Sequence, residues 1–391
     1  MIIVCEPQCA GIEHAEVNAA FLAALRSAWP GHRIIFFAEK AHTGHVTACL
    51  SREHIPGIEH SEIDLPPRGL ANHRRFPAER RLARRIFETA QRENATEVIF
   101  TSATNAGLVS IKLILRKFPA RRCAVMMHAT LETLLKKRPP LKPLVLKSYL
   151  ELPFWFRPAF LWGNNSRLRY IVLGQSILEN LCRAFPKLKG TAFAIDLPYF
   201  YRPPEDFAPF KGGAVRLGSL GVASKGKGSD RFFELADETG TAAKEHKAEF
   251  IQIGQVDRKL KYCGTAVKIP RKDSFLSREE YDGHAREIDY AVFFHKPSSY
   301  RLTASGSLFD AFSHLKPVIA LRSPFFEHYF NLMGDIGYLC ADYKEIKETV
   351  ARLLEERPVK RYLAQRENIL KGREKIGVAG IGRELKNFLR P

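Results

Sequence analysis

The 391-residue sequence predicts an α/β protein of two Rossmann-like domains facing each other across a cleft. Three observations carry this expectation. The chain is too long for one ordinary core and suits two of about 200 residues each. Short apolar runs alternate with helix-period segments over residues 1–200, and the alternation starts again after residue 210. Between the two series lies Leu197-Pro-Tyr-Phe-Tyr-Arg-Pro-Pro, whose prolines favour an extended connector over a helix.

In the first series the pattern predicts strands at 2–5, 33–37, 98–101, 123–128 and 170–173, with helices at 13–29, 79–94, 107–117 and 176–185. In the second it predicts strands at 215–220, 250–253, 266–269, 290–294, 317–320 and 337–340, separated by helices at 229–239, 277–285, 307–313 and 344–356. A helical tail follows at about 362–389. The expected domains are 1–200 and 201–375, with 376–391 as a C-terminal helix packing back on the N-terminal domain. Doubly wound sheets bind ligands outside the carboxyl ends of their strands, so the site is expected between the two domains.

Composition is that of a soluble globular protein, with 45% apolar and 26% charged residues. No apolar run approaches the roughly 20 residues of a spanning helix. The opening Met-Ile-Ile-Val-Cys has no basic region or cleavage site, which points to the cytoplasm. Seven scattered cysteines with no Cys-x-x-Cys pair read as reduced thiols. The net charge is +19, and residues 68–147 alone carry 18 basic against 5 acidic side chains. Such a face suits phosphate-rich partners: anionic lipid, a lipid diphosphate or nucleic acid. Nucleic acid is the weakest of these, since the chain has no zinc-finger spacing, helix-turn-helix signal or clustered aromatic platform.

Two segments carry chemistry. Gly221-Val-Ala-Ser-Lys-Gly-Lys-Gly-Ser follows a strand and opens a helix, an arrangement that aims backbone N–H groups and the ammonium groups of Lys225 and Lys227 at an anion. It is neither a Walker A nor a dinucleotide fingerprint, and its bland reading is a flexible loop with solvated lysines. The second segment runs from Pro297 to Ala320 through a small-residue loop into a helix. There Ser305, Gly306 and Ser307 let a diphosphate approach the helix N-terminus, and Asp310 is placed to accept hydrogen bonds from a ribose diol. The bland reading makes Ser307 an N-cap and Asp310 a first-turn acid favoured by the helix dipole.

Taken together, these segments resemble the retaining, group 1 glycosyltransferases of GT-B fold, and the resemblance runs in order over most of the chain. Gly11-Ile-Glu-His14-Ala-Glu looks like the loop after the first strand that faces donor and acceptor in that family, and His128 sits where the family commonly has a histidine near the reacting sugar. Residues 197–203 resemble its interdomain linker, and Lys227-Gly-Ser-Asp-Arg-Phe-Phe-Glu its phosphate-binding turn and helix. Pro297-Ser, then Asp310-Ala-Phe and Lys316-Pro-Val-Ile, resemble its donor-binding block. Two departures stand out: Val222 replaces an arginine, and Leu302 or Arg301 falls where the first of two glutamates belongs. Arg301 or Lys225 then takes over the missing diphosphate contact.

The resemblance implies a metal-independent glycosyltransferase acting on a nucleotide sugar and a glycan or lipid-linked acceptor, in cell-surface polysaccharide or glycolipid synthesis. No Asp-x-Asp motif is present to hold a metal, and no other cofactor is expected. Donor binding falls to Gly221, Lys225, Lys227, Arg301, Ser305, Gly306, Ser307 and Asp310, and His128 is the expected catalytic residue, hydrogen-bonding the transferred sugar or the acceptor. Gly11, His14, Arg80 and Arg84 face the acceptor or a membrane. Arg80, Arg81, Arg84 and Arg85 form a cationic ridge on a helix, while the segment 134–147 and the aromatic run 150–162 suit insertion beside anionic headgroups. The protein is thus expected on the inner membrane face. Rival readings are a GT-B nucleotide-sugar epimerase, a non-catalytic sugar-nucleotide binder, and a basic nucleic-acid-binding protein.

Overall fold

A run such as Ile-Ile-Phe-Phe-Ala at 34–38 has no polar face, so it is stable only in a sheet covered on both sides. The computed structural model describes residues 1–51, 54–127, 131–135, 149–240, 245, 247–260, 266–274, 276–296 and 300–389. Its chain divides into two units. The first comprises Met1–Phe200, Leu302–Ala304 and Ile376–Pro391, and the second Tyr201–Arg301 and Ser305–Lys375.

The first unit holds, in chain order, β1 (Ile2–Cys5), α1 (Ala15–Ala28), β2 (Ile34–Ala38), α2 (Lys40–Cys49), β3 (Ile58–Glu62), α3 (Asn72–Arg92), β4 (Glu97–Phe100), α4 (Asn105–Leu115), β5 (Arg122–Met127), α5 (Phe156–Leu161), β6 (Leu168–Leu173), α6 (Gln175–Ala184) and β7 (Ala192–Ile195). Its seven strands form one sheet in the order β3-β2-β1-β4-β5-β6-β7, every pair parallel. In register, Ile3 lies between Ile35 and Val98.

The second unit holds β8 (Val215–Leu220), α7 (Ser229–Glu238), β9 (Ala248–Ile253), β10 (Val267–Lys268), α8 (Arg278–Glu287), β11 (Tyr290–Phe293), α9 (Gly306–Ser313), β12 (Val318–Leu321), α10 (Pro324–Met333), β13 (Gly337–Cys340), α11 (Tyr343–Glu356) and α12 (Val359–Ile376). Its six parallel strands run β10-β9-β8-β11-β12-β13. The last helix, α13 (Val378–Phe388), is counted with the first unit, where it packs on α1. That contact is close: a Cβ on Gly382 would lie 2.9 Å from the Ala24 carbonyl oxygen, and Phe388 stacks on Phe193 at 4.3 Å. Both units are Rossmann-like, with the strand order reversing between β1 and β4 in one and between β8 and β11 in the other.

Most strands and helices fall within a few residues of their predicted positions, and the exceptions have physical causes. The edge strand β3 reads Ile-Glu-His-Ser-Glu, polar because one side of it faces solvent. Helix α3 begins at Asn72 rather than 79 because the Glu151 carboxylate, far away in sequence, accepts the Asn72 and His73 amides at 3.1 and 2.9 Å. Helix α10 went unpredicted although Ser323-Pro324 is an ordinary N-cap and N1 pair.

The aromatic run 150–162 differs from its predicted role. Phe154, Phe156 and Phe160 are buried in the first unit's core rather than held for a lipid interface, while Leu150 and Trp162 remain exposed. A buried lysine fixes this segment: Lys112 Nζ donates to the carbonyls of Ala159, Phe160 and Trp162 at 2.6, 2.8 and 2.6 Å. Of the predicted cationic stretch 134–147, residues 136–147 lie outside the described residues. Arg80, Arg81, Arg84 and Arg85 are exposed along α3, and Ile86 and Phe87 are buried beneath them. Among the described residues no helix is long and apolar enough to cross a membrane.

Candidate functional site

Strand β8 ends at Leu220, and the chain must turn at once to start α7. Gly221 and Gly228 make this possible with φ of +80° and +68°. At Gly228 a Cβ would come within 2.3 Å of the Phe294 carbonyl oxygen, so no other residue fits against the end of β11. The loop is pinned from below by Gln252, fully buried, whose side-chain amide donates to the Gly221 carbonyl at 2.7 Å.

The two lysines of this loop part company. Lys225 is exposed. Lys227 folds inward: its Nζ would lie 2.9 Å from a Cβ on Gly221, a position also 3.7 Å from Ser307 Cβ, and its one hydrogen bond among the described residues is a long 3.4 Å contact to the Leu220 carbonyl. Burial pushes the ammonium down to about 8, against the opposing pull of Asp310. It is still mainly charged at pH 7.

The backbone amides depart from the expected cradle. The amides of Gly221, Ala223, Gly228 and Ser229 donate to the carbonyls of Ile253, Gln255, Lys225 and Ser224, and the Ser224 amide donates to Ser229 Oγ. These bonds shape the turn and are not free for a ligand. At the start of α9 the Leu308 amide donates to the Ser305 carbonyl at 3.1 Å, which leaves the Gly306 and Ser307 amides as the ones without an acceptor within the helix. The N-cap there is Ser305, not Ser307; both are buried, and their hydroxyl oxygens lie 3.0 Å apart. Gly306 is the first helical residue and has open space around its Cα.

Asp310 lies past the first turn of α9, and its carboxylate is already engaged. Arg278 Nη1 reaches one oxygen at 3.3 Å and the Tyr281 hydroxyl donates to the other at 3.0 Å. Arg278 also pairs with buried Asp282, which accepts from His314 at 3.0 Å and from Arg202. Burial would raise the Asp282 carboxyl, but the His314 hydrogen bond with Arg278 and Arg202 holds it below its ordinary range. Arg301 is exposed, immediately before the three residues counted with the first unit.

The same topological position in the first unit is built around an acid. Glu6 follows β1, is 1% exposed, and accepts from the amides of Gln8 and Cys9, from Asn18 Nδ2 and from the hydroxyls of Thr101 and Ser102. Burial works to raise its carboxyl, and these bonds together outweigh it and hold it low. Gly11, with φ +56°, donates to Glu39 at 3.2 Å and accepts from His42 at 2.8 Å; His14, exposed, takes a left-handed conformation at the start of α1. Beside this loop, at the carboxyl ends of β1, β4 and β5, opens a cavity of about 540 Å³ whose lining includes Cys9, Glu13, His14, Arg68, Arg75 and Met127.

His128 lies outside the described residues. Among the described residues no three His, Cys, Asp or Glu side chains group as a metal site. Sequence reasoning missed Gln252, Arg278, Tyr281 and His295. Only His295 left a sequence signal, a titratable side chain directly after a fully apolar strand.

No family model matches the chain, and no curated protein sequence matches it. Solved structures do. HepE of Anabaena, in complex with UDP and glucose, aligns at TM-score 0.59 and 14% identity over 99% of this chain and 98% of that one. WaaG, a glycosyltransferase involved in lipopolysaccharide biosynthesis, aligns at TM-score 0.60 and 12% identity over 99% of both chains. OtsA in its apo form aligns at TM-score 0.61 and 11% identity over the whole of both. With its two Rossmann-like units and this likeness over its whole length, the chain therefore has a GT-B fold.

Proposed function

We propose that this protein is a glycosyltransferase that takes a sugar from a nucleotide-sugar donor and passes it to a glycan or lipid-linked acceptor in cell-surface polysaccharide or glycolipid synthesis. The observation that carries the reading is the ammonium of Lys227, tucked beside Gly221 and Ser307 at the switch point of the second unit with, among the described residues, one long hydrogen bond of its own. A charge kept short of partners in a desolvated turn is stabilised by an anion, and a diphosphate fits it. The chemistry is electrostatic. As the bond between the sugar and the diphosphate breaks, negative charge grows on the leaving oxygens, and Lys227 with the opening amides of α9 stabilises it. Asp310 acts through Arg278 and Tyr281, which it holds in place. No dedicated metal is invoked.

The acceptor is assigned to the cavity beside His14 and Gly11 in the first unit, whose Arg68 and Arg75 suit an anionic or polyhydroxyl group. The exposed ridge of Arg80 and Arg84 on α3 is assigned to an anionic membrane surface.

Incubation with a panel of nucleotide sugars, UDP-glucose first, should release nucleoside diphosphate when a lipid or glycan acceptor is added. Tight binding with no release in any acceptor mixture would leave a non-catalytic binder, and epimer formation without acceptor would make it an epimerase. Reversing the charge at Arg80 and Arg84 should free the protein from vesicles of anionic lipid; unchanged sedimentation removes the membrane assignment.

A further inference from the structure

His295 follows β11 by two residues in the second unit and is 2% exposed. Its ring is held between aromatic neighbours: Phe326 stacks on it at 5.6 Å with planes 12° apart, and Tyr300 lies 4.1 Å away at 31°. These rings hold the imidazole in place, and its nitrogens are the atoms able to make a polar contact. Its Nδ1 is buried and has no hydrogen-bond partner among the described residues. Buried polar atoms without partners are rare in folded proteins, and one fixed in orientation at a switch point is placed for a group that arrives from outside.

The surroundings say what that group is. Gly228 packs on the Phe294 carbonyl, so the residues adjoining that contact, Lys227 and His295, are neighbours. Burial, and after it the charge of Lys227, pushes the imidazole down to about 3, so it is neutral, with one N–H to donate and one lone pair. Near it is the Lys227 ammonium, which itself lies beside Gly221 and Ser307, and the Ser307 hydroxyl is 3.0 Å from that of Ser305 at the N-cap of α9. That is a set of donors, and its complement is an oxyanion.

We propose that His295 is a ligand-binding residue whose Nδ1–H donates a hydrogen bond to a phosphate oxygen of the nucleoside diphosphate, alongside the ammonium of Lys227. This rests on the nucleotide-sugar reading above and adds to it a residue for diphosphate recognition. The neutral donor gives direction, which the flexible lysine does not.

The test is calorimetric titration of the full chain at pH 7.5 with UDP, GDP, ADP, pyrophosphate and uridine, for wild type, His295→Phe and His295→Asn. His295→Phe should weaken whichever diphosphate binds by about 10- to 30-fold, and pyrophosphate likewise, while uridine changes by less than about twofold. His295→Asn, whose amide nitrogen falls near the Nδ1 position, should recover most of the loss. In wild type labelled with ¹⁵N-histidine, the Nδ1 resonance of His295 should move on adding the diphosphate. Unchanged diphosphate affinity in His295→Phe, an equal loss for uridine, or a static Nδ1 resonance would each overturn the proposal while the nucleotide reading stood. Failure of wild type to bind any of the nucleoside diphosphates would overturn both.

Discussion

The two switch points share a topology and differ in electrical sign. In the first unit the turn after β1 closes on a buried carboxylate, and Glu6 receives hydrogen bonds from two amides, an asparagine and two hydroxyls. In the second, the turn after β8 closes on an ammonium that has, among the described residues, one long contact, beside a histidine whose Nδ1 has no partner among them. A buried charge whose hydrogen bonds are complete organises the backbone and gains nothing from a ligand. One whose shell is incomplete costs stability until something fills it. On the function proposed above, the difference makes Glu6 scaffold and Lys227 site, although both are charged residues in equivalent loops.

The contrast breaks most visibly at Glu6. Replacing it by alanine leaves Thr101, Ser102, Asn18 and two amides without their acceptor, and should cost about 3–5 kcal/mol by urea denaturation. A loss below about 1 kcal/mol would show that the carboxylate is not the organiser of its turn.

The opposite sign is expected at Lys227. Lys227→Met removes a desolvated charge, so the unliganded protein should gain about 1–3 kcal/mol, while UDP affinity should fall about 100-fold. A destabilised variant with unaltered affinity would reverse the assignment. The pH dependence sharpens this. The protonated lysine is the binding form, and a bound diphosphate raises its affinity for the proton. UDP binding should therefore be level between pH 7 and 8 and weaken by up to about tenfold per pH unit above the value of about 8.

The smallest effect tests whether incomplete charge shells outside the site behave the same way. On α13, Glu384 is pushed up to about 7 by burial and by neighbouring Asp196. Its folded carboxyl holds a proton more tightly than the unfolded one, so its contribution is fully present only below the ordinary value of 4.5 and is lost as pH rises through about 7. Glu384→Gln should raise stability at about pH 8 by on the order of 1 kcal/mol after allowing for solvent screening, and leave it unchanged at about pH 3.5. Calorimetric melting at the two pH values decides it.

The sheets were legible because parallel strands buried on both faces are written as unbroken apolar runs, as at Ile34–Ala38. Strand β3 was not, since a solvated edge has no such pattern. The loop from Gly221 to Lys227 could be read as an anion site from its glycines and charge. Which lysine turns inward could not, because that depends on Gly228 docking against Phe294 from a strand more than sixty residues away. Asp310 was legible as a chemical group, but its partners Arg278 and Tyr281 come from α8, 32 and 29 residues upstream, a separation that periodicity does not register. The aromatic run after Leu150 looked the same as core or as membrane anchor. Burial of Phe154, Phe156 and Phe160 selects core for those three.

Because α13 completes the packing on α1 after the whole second unit has intervened in sequence, the first unit cannot finish folding as it leaves the ribosome. The small-residue face of α1 around Ala24 must wait uncovered through the synthesis of some 175 residues, an interval of roughly 10–35 s at bacterial elongation rates. A fragment ending at Phe200 would keep that face bare permanently and should associate with itself, whereas adding residues 376–391 as a separate peptide should restore a monomer.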